Sequence, residues 1–271
     1  MYFDSHTHIN NEDYSREERE ALIREIEASP VDEVVDIGFD IESSRMAVDH
    51  ARKYSWCYAA VGCHPHDAQE MTEEKLLEIR EMVGEDKVVA IGEIGLDFHY
   101  DISPRDVQRE WFRRQIRLAL DLQKPIVIHA READGEVMDI LTEEGAFSDE
   151  RKACFPPGPK GEGDARVLLH CFSGSKELAL EYIKKGATIS VAGPVTYKNN
   201  KKTVAVVEAV PMEYLLAETD APYLTPVPHR GKPNKSPYIE HTVRRIALIK
   251  GISEEEAAAA TKANAERFFG I

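Results

Sequence analysis

Eight times along the chain a short aliphatic or β-branched run precedes a longer amphipathic stretch, and most of these runs end in histidine or carboxylate. The apolar runs lie at residues 2–4, 31–37, 57–61, 88–91, 125–128, 167–169, 187–191 and 214–217, with helical patterns between them such as 16–28, 72–83, 104–122 and 176–185. Alternating strand and helix implies a parallel sheet, and eight such units can close into a (β/α)8 TIM barrel. The 271 residues match one barrel of about 250 residues, so residues 1–271 are expected to form a single domain. In such a barrel the C-terminal strand ends share one mouth, where active sites are built. His6, His8, His64, His66, Glu93, His129, His170 and Asp220 all sit at or just beyond apolar runs, so they are expected to meet there.

Composition narrows the function classes. Hydrophobic residues at 42% and charged residues at 31% suit a globular chain with a sizeable core. The N-terminus has neither a basic start nor an apolar stretch, and no later run approaches membrane-spanning length, so a cytoplasmic protein without membrane contact is expected. Cys57, Cys63, Cys154 and Cys171 show no CxxC spacing and read as reduced, mostly buried thiols. A net charge of −15 argues against tracking along duplex DNA, which needs many Lys and Arg contacts. Any nucleic-acid contact should be local, with bound cations supplying positive charge. Residues 143–166, rich in Pro and Gly, read as a surface insertion on the face opposite the mouth.

His6-Thr7-His8 places two imidazoles on one side of an extended segment. Glu93 follows an apolar strand between glycines, where a buried carboxylate needs a cation; it suits a ligand bridging two metals better than an ion pair with Arg131. His129 and His170 end successive strands, and Asp220 closes the set as ligand and general base. Four imidazoles and two carboxylates fit two divalent ions such as Zn, Mn or Mg, and the loaded site would carry net positive charge and attract an anion. His64 reads as a phosphate donor or as a more remote polar residue. Arg131 and Arg230 read as a phosphate clamp or as rim solvation. Asp97, His99 and His229 have no assigned role, and His50 and His241 read as helix-surface residues.

The words FDSHTH, GCHPHDA, GEIGLDFHY, PIVIHAREA, LHCFSG and ETDAPYLTPVPHRGKPN, running in order from Phe3 to Asn234, resemble the TatD family of metal-dependent deoxyribonucleases. The resemblance implies His6 and His8 on one metal, His129 and His170 on a second, Glu93 shared, and Asp220 on the first beside the attacking water. It also implies phosphodiester hydrolysis of DNA from a 3′ end of single strands, with His64 touching substrate. Pro233 after Lys232 departs from the family's usual second basic residue, and 143–166 lengthens the chain.

The expected activity is therefore divalent-metal-dependent hydrolysis of a DNA end or another phosphodiester, by a monomer or small homo-oligomer. A small amide or ester, such as an aminoacyl ester on tRNA, is the alternative substrate class, and a non-enzymatic metal-binding protein the alternative function.

Overall fold

A computed structural model describes residues 1–271. Eight parallel strands run in the order β1 (Tyr2–Thr7), β2 (Val31–Ile37), β3 (Cys57–Val61), β4 (Val88–Asp97), β5 (Ile126–Arg131), β6 (Val167–Leu169), β7 (Thr188–Val191) and β8 (Leu215–Ala217), each hydrogen-bonded to the next. The ring closes between its first and last strands at a Thr7–Ala221 bridge, with the Asp4 carboxylate accepting from the Thr219 N–H at 2.9 Å and hydroxyl at 2.6 Å. This is the expected TIM barrel.

Ten helices surround it: α1 (Arg16–Glu27), α2 (Ile41–Lys53), α3 (Glu73–Met82), α4 (Arg105–Asp121), α5 (Asp134–Glu143), α6 (Asp149–Lys152), α7 (Lys176–Lys184), α8 (Lys201–Ala209), α9 (Ile239–Lys250) and α10 (Glu254–Phe269). Several start at side-chain caps that satisfy free N–H groups of the first turn, including capping boxes at Ser15–Glu18 and Ser253–Glu256. The apolar residues of the strands alternate between two cores. Val34, Ile126, Ile128, Val167, Leu169, Leu215 and Ala217 pack outward against helices, whereas Phe3, Val35, Val127, Leu168 and Leu216 fill the barrel with Phe268 and Phe269 of α10. The residues that follow this alternation into the mouth are His129, His170 and Glu218.

Two irregularities aim the remaining site residues. Between Asp4 and Thr7, β1 carries one residue more than β2, and between Ile91 and Ile94, β4 carries one more than β5. Strict alternation from inward Phe3 would turn His6 towards the helices, and alternation from outward Ile91 would do the same to Glu93. Each extra residue reverses the parity. Gly95 makes the second arrangement feasible, because a Cβ there would lie 1.9 Å from the His129 carbonyl and its φ is +153°.

Three strands extend past their apolar runs into the polar residues, since ladder pairing continues where hydrophobicity stops: Gly95 pairs with His129, and Asp97 with Arg131. Residues 143–166 pack under the N-terminal strand ends, where side-chain hydrogen bonds anchor them. Buried Arg151 donates to the carbonyls of Ala119 (3.4 Å), Lys124 (2.5 Å) and Ala165 (3.1 Å), and Tyr214 donates to Glu162. All four cysteines are free. Cys57 and Cys63 are buried as expected and Cys171 is half-buried, while Cys154, on the loop after α6, is exposed. No helix is long and apolar enough to cross a membrane.

Candidate metal centre

At the mouth, Glu93 occupies the middle of a ring of imidazoles. Its Oε2 lies 3.4 Å from His6 Nε2 and 3.8 Å from His8 Nε2. Its Oε1 lies 2.7 Å from both His129 Nδ1 and His170 Nε2, and 3.7 Å from His64 Nε2. Asp220 Oδ1 completes the first group, 3.4 Å from His8 Nε2 and 3.7 Å from His6 Nε2. All six residues proposed from the sequence as ligands therefore converge, with one oxygen of Glu93 facing each pair of histidines. Glu93 makes no ion pair with Arg131, whose guanidinium sits 4.6 Å from the centre of the Tyr100 ring.

The donor chemistry fits cations. His8 donates its Nδ1–H to the Ile37 carbonyl at 2.8 Å, which aims Nε2 into the site, 3.2 Å from His6 Nε2. Ligand atoms of His6, His8 and Glu93 lie within 4.8 Å of one another. Burial works against the ionised Glu93, but the adjacent His170 and His64 and hydrogen bonds from His129 and His170 hold its carboxyl well below the usual carboxylate range. Asp220 is likewise depressed: burial opposes ionisation, and His8 and His6 outweigh it. Both carboxylates are thus available as anionic ligands.

A family model described as TatD related DNase matches residues 3–270. The chain belongs to the TatD family. It is 44% identical over 271 residues to the metal-dependent hydrolase YabD of Bacillus subtilis (strain 168), covering 100% of both chains. To the 3′-5′ ssDNA/RNA exonuclease TatD of Cronobacter sakazakii it is 31% identical, over 98% of this chain and 97% of that one. Among solved structures, the TatD homologue YjjV from Escherichia coli K12 superposes with a TM-score of 0.85 at 26% identity, covering 100% of this chain and 98% of the other. The protein is a metal-dependent hydrolase of the TatD family.

Two carboxylates that sequence reasoning left without a role hold this TatD centre from behind. Glu218 is fully buried, with Oε2 3.8 Å from His6 Nδ1 and Oε1 3.7 Å from His170 Nδ1, and it accepts the Cys171 N–H. Those two nitrogens face away from Glu93 and have no hydrogen-bond partner; Glu218 is the charge facing them. The His6 and His170 rings are stacked 3.9 Å apart, so Glu218 addresses both at once. Asp97 Oδ2 lies 3.1 Å from His129 Nε2 and 3.0 Å from His66 Nε2, while Oδ1 accepts the backbone N–H groups of His99 and Tyr100. Burial disfavours its charge, but the hydrogen bond with His129 and the Tyr100 N–H hold it below the ordinary range. The available signal was period two: Glu93, Gly95 and Asp97 share one strand face, and Glu218 and Asp220 flank Thr219 after β8.

The other candidates separate by position. His64 Nδ1 accepts the His66 N–H at 3.1 Å, and burial beside His129 lowers its basicity well below that of free imidazole. It is therefore neutral with its proton on Nε2, a donor aimed into the site. Arg131 lines the cleft over the centre, a space of about 1160 Å³, whereas Arg230 is exposed outside that lining, 4.2 Å from the centre of the Tyr197 ring. His50 is not a surface residue: α2 turns it inward against β2, where Nδ1 meets Asp36 Oδ2 at 2.7 Å. His241 is partly buried beside His229 and Tyr238 rather than solvated on its helix, because the loop after β8 folds over α9. Neither of these histidines reaches the centre.

Proposed function

We propose that this chain is a two-metal phosphodiesterase that removes nucleotides from the 3′ end of single-stranded DNA. The observation that carries the reading is the division of Glu93, one oxygen towards His6 and His8 and the other towards His129 and His170. Two divalent cations, Zn, Mn or Mg, held by these residues and Asp220 would polarise the attacking water and the phosphoryl oxygens, the chemistry such a pair supplies when bound. Asp220 takes the proton of that water; its carboxyl is kept ionised by the neighbouring histidines. His64 donates its Nε2–H to a non-bridging oxygen. Arg131 at the cleft wall pairs with the next phosphate, and Arg230 reaches only a more distant one. The exonuclease name carried by the Cronobacter relative supports the substrate class. We take the whole chain as one barrel domain working in the cytoplasm, where free thiols such as Cys57 and Cys63 persist.

The test is turnover of a single-stranded oligonucleotide by protein loaded with Mn²⁺ or Zn²⁺. Asp220→Asn should lower the rate by about 100-fold or more while the variant stays folded. Equal turnover by that variant would remove Asp220 from the mechanism, and failure on both the oligonucleotide and a simple phosphodiester would remove the reading itself. One observation favours a smaller substrate: eight carboxylates line the cleft against the cations Arg131 and Lys202. An aminoacyl ester assayed beside the oligonucleotide discriminates between the two.

A further inference from the structure

The same acidic lining raises a question of affinity. A polyanion normally binds through many phosphate contacts, and this cleft offers Arg131 and Lys202 alone besides its metal centre. Single-stranded nucleic acid has a second handle, the flat faces of its unpaired bases, which stack on aromatic side chains without regard to sequence.

The mouth is where the chain exposes such surface. Tyr100 (56% exposed), Ile102 (55%), Tyr223 (51%) and Leu224 (37%) are large apolar side chains left open to solvent, and all four line the cleft. Exposed apolar surface gathered at a polar site marks a contact for a ligand. The two tyrosines come from different places, Tyr100 from the end of β4 and Tyr223 from the loop after β8, and each is held. Tyr223 accepts a hydrogen bond on its hydroxyl from Asn11 Nδ2 at 2.9 Å, its N–H donates to the Asp220 carbonyl at 2.8 Å, and its ring meets that of His8 at 6.2 Å between centres. Tyr100 donates its N–H to Asp97 and stands edge-on to His66 at 5.4 Å, with the Arg131 guanidinium over its ring. The backbone hydrogen bonds therefore tie the main chain of each tyrosine to the metal centre, to Asp220 in one case and to the support of His129 in the other.

We propose that Tyr223 and the Tyr100–Arg131 pair are base-stacking platforms that select an unpaired nucleic-acid end, one on each wall of the cleft. The proposal rests on the phosphodiesterase reading for the identity of the ligand, but not on turnover. A base paired in a duplex is already stacked and cannot offer its face, so the platforms discriminate single strands from duplex. Because any base has such a face, they do so without sequence preference.

The experiment measures binding and hydrolysis separately, using the full chain loaded with Mn²⁺. A fluorescein-labelled single-stranded oligonucleotide and a copy with abasic residues at its two 3′-terminal positions are titrated by anisotropy against the Asp220→Asn protein, in which cleavage is slow on the time of the titration. Intact ends should bind about tenfold more tightly than abasic ends. Tyr223→Ala and Tyr100→Ala, added to the same background, should each weaken the intact oligonucleotide several-fold and leave the abasic one almost where it was. Tyr223→Phe and Tyr100→Phe keep the ring and should retain most of the difference, and Leu77→Ala, an exposed apolar residue outside the cleft, is the control. Equal affinity for intact and abasic ends, or alanine variants within twofold of their background, overturns the proposal. Methyl p-nitrophenyl phosphate, which carries no base, is assayed with wild-type protein. Hydrolysis of that ester with base-independent binding sinks stacking and keeps the phosphodiesterase, and base-dependent binding without hydrolysis does the reverse.

Discussion

Replacing Glu218 by Gln changes one atom, an oxygen to an NH₂ group, in a carboxylate that touches no predicted metal. It faces His6 Nδ1 and His170 Nδ1 with separate oxygens, at 3.8 and 3.7 Å, and also accepts from Cys171 N–H. A ring that coordinates through Nε2 carries its proton on Nδ1 and needs an acceptor there. The glutamine has one acceptor oxygen. Whichever way its amide turns, at least one N–H of the three faces another donor, inside a site with no solvent to relieve it. Loss of such a supporting partner weakens metal binding by about 10- to 100-fold, or roughly 1.4 to 2.8 kcal/mol. At fixed metal concentration the stabilisation by bound metal falls by the same amount. For a chain of this size each kcal/mol is worth about 2 to 4 °C, so the metal-loaded Tm should drop by roughly 3 to 11 °C. The metal-free Tm should change much less, because an imidazole without a metal can leave Nδ1 unprotonated and accept from the amide. Chelator competition gives the affinity, and scanning fluorimetry with and without metal gives the two Tm values. An affinity within twofold of wild type together with an unchanged gap between loaded and metal-free Tm would refute the role assigned to Glu218. So would an equal fall in both Tm values, which would make it merely structural.

Three further outcomes are expected. Gly95→Ala would place a Cβ 1.9 Å from the His129 carbonyl, so β4 and β5 should separate; the variant should express insolubly or lose several kcal/mol in urea unfolding, roughly the scale of severe packing defects. Arg151→Met leaves the carbonyls of Ala119, Lys124 and Ala165 without their buried donor and should cost about 3 kcal/mol in the same measurement. Burial, with Asp40, Glu12 and Glu70 nearby, raises the Asp67 carboxyl to about 6 from an ordinary 3.8. The folded state then holds that proton more tightly than the unfolded chain, so stability falls as pH rises from about 4 to 6 and the cost is complete above that. Asp67→Asn should accordingly raise the metal-free Tm at pH 7.5 and leave it unchanged at pH 3.5; a uniform shift at both pH values would exclude the titration.

The barrel was legible because its signal is repeated: eight apolar runs, each followed by a polar residue at an equivalent place, survive errors in any single element. The six convergent side chains were legible for the same reason, since His129 and His170 follow their strands by plain alternation. His6 and Glu93 do not. Each depends on one extra residue in a ladder, and nothing in a single sequence distinguishes a bulged strand from a regular one. Asp97 and Glu218 were passed over because a carboxylate that supports a ligand resembles one that merely caps a strand until its partners are known. His50 was misplaced on the surface because the inward face of α2 is rich in small residues, Ala47 and Ala51 among them, and a short apolar stripe does not declare its direction. Arg230 lies outside the cleft lining, a position set by the direction of the loop after β8, which the sequence does not encode in any short pattern.

The seam between the first and last strands has a bearing on how the protein is made. His6 leaves the ribosome more than two hundred residues ahead of Asp220, whose N–H bonds to the His6 carbonyl at 2.9 Å. A nascent chain can pair β1 with β2 and gather His6, His8 and Glu93 early, but the ring stays open until β8 arrives. Cation capture by the full set of side chains is therefore a late event, and a chain truncated before Thr219 would lack both the clasp for Asp4 and the acid that finishes the centre.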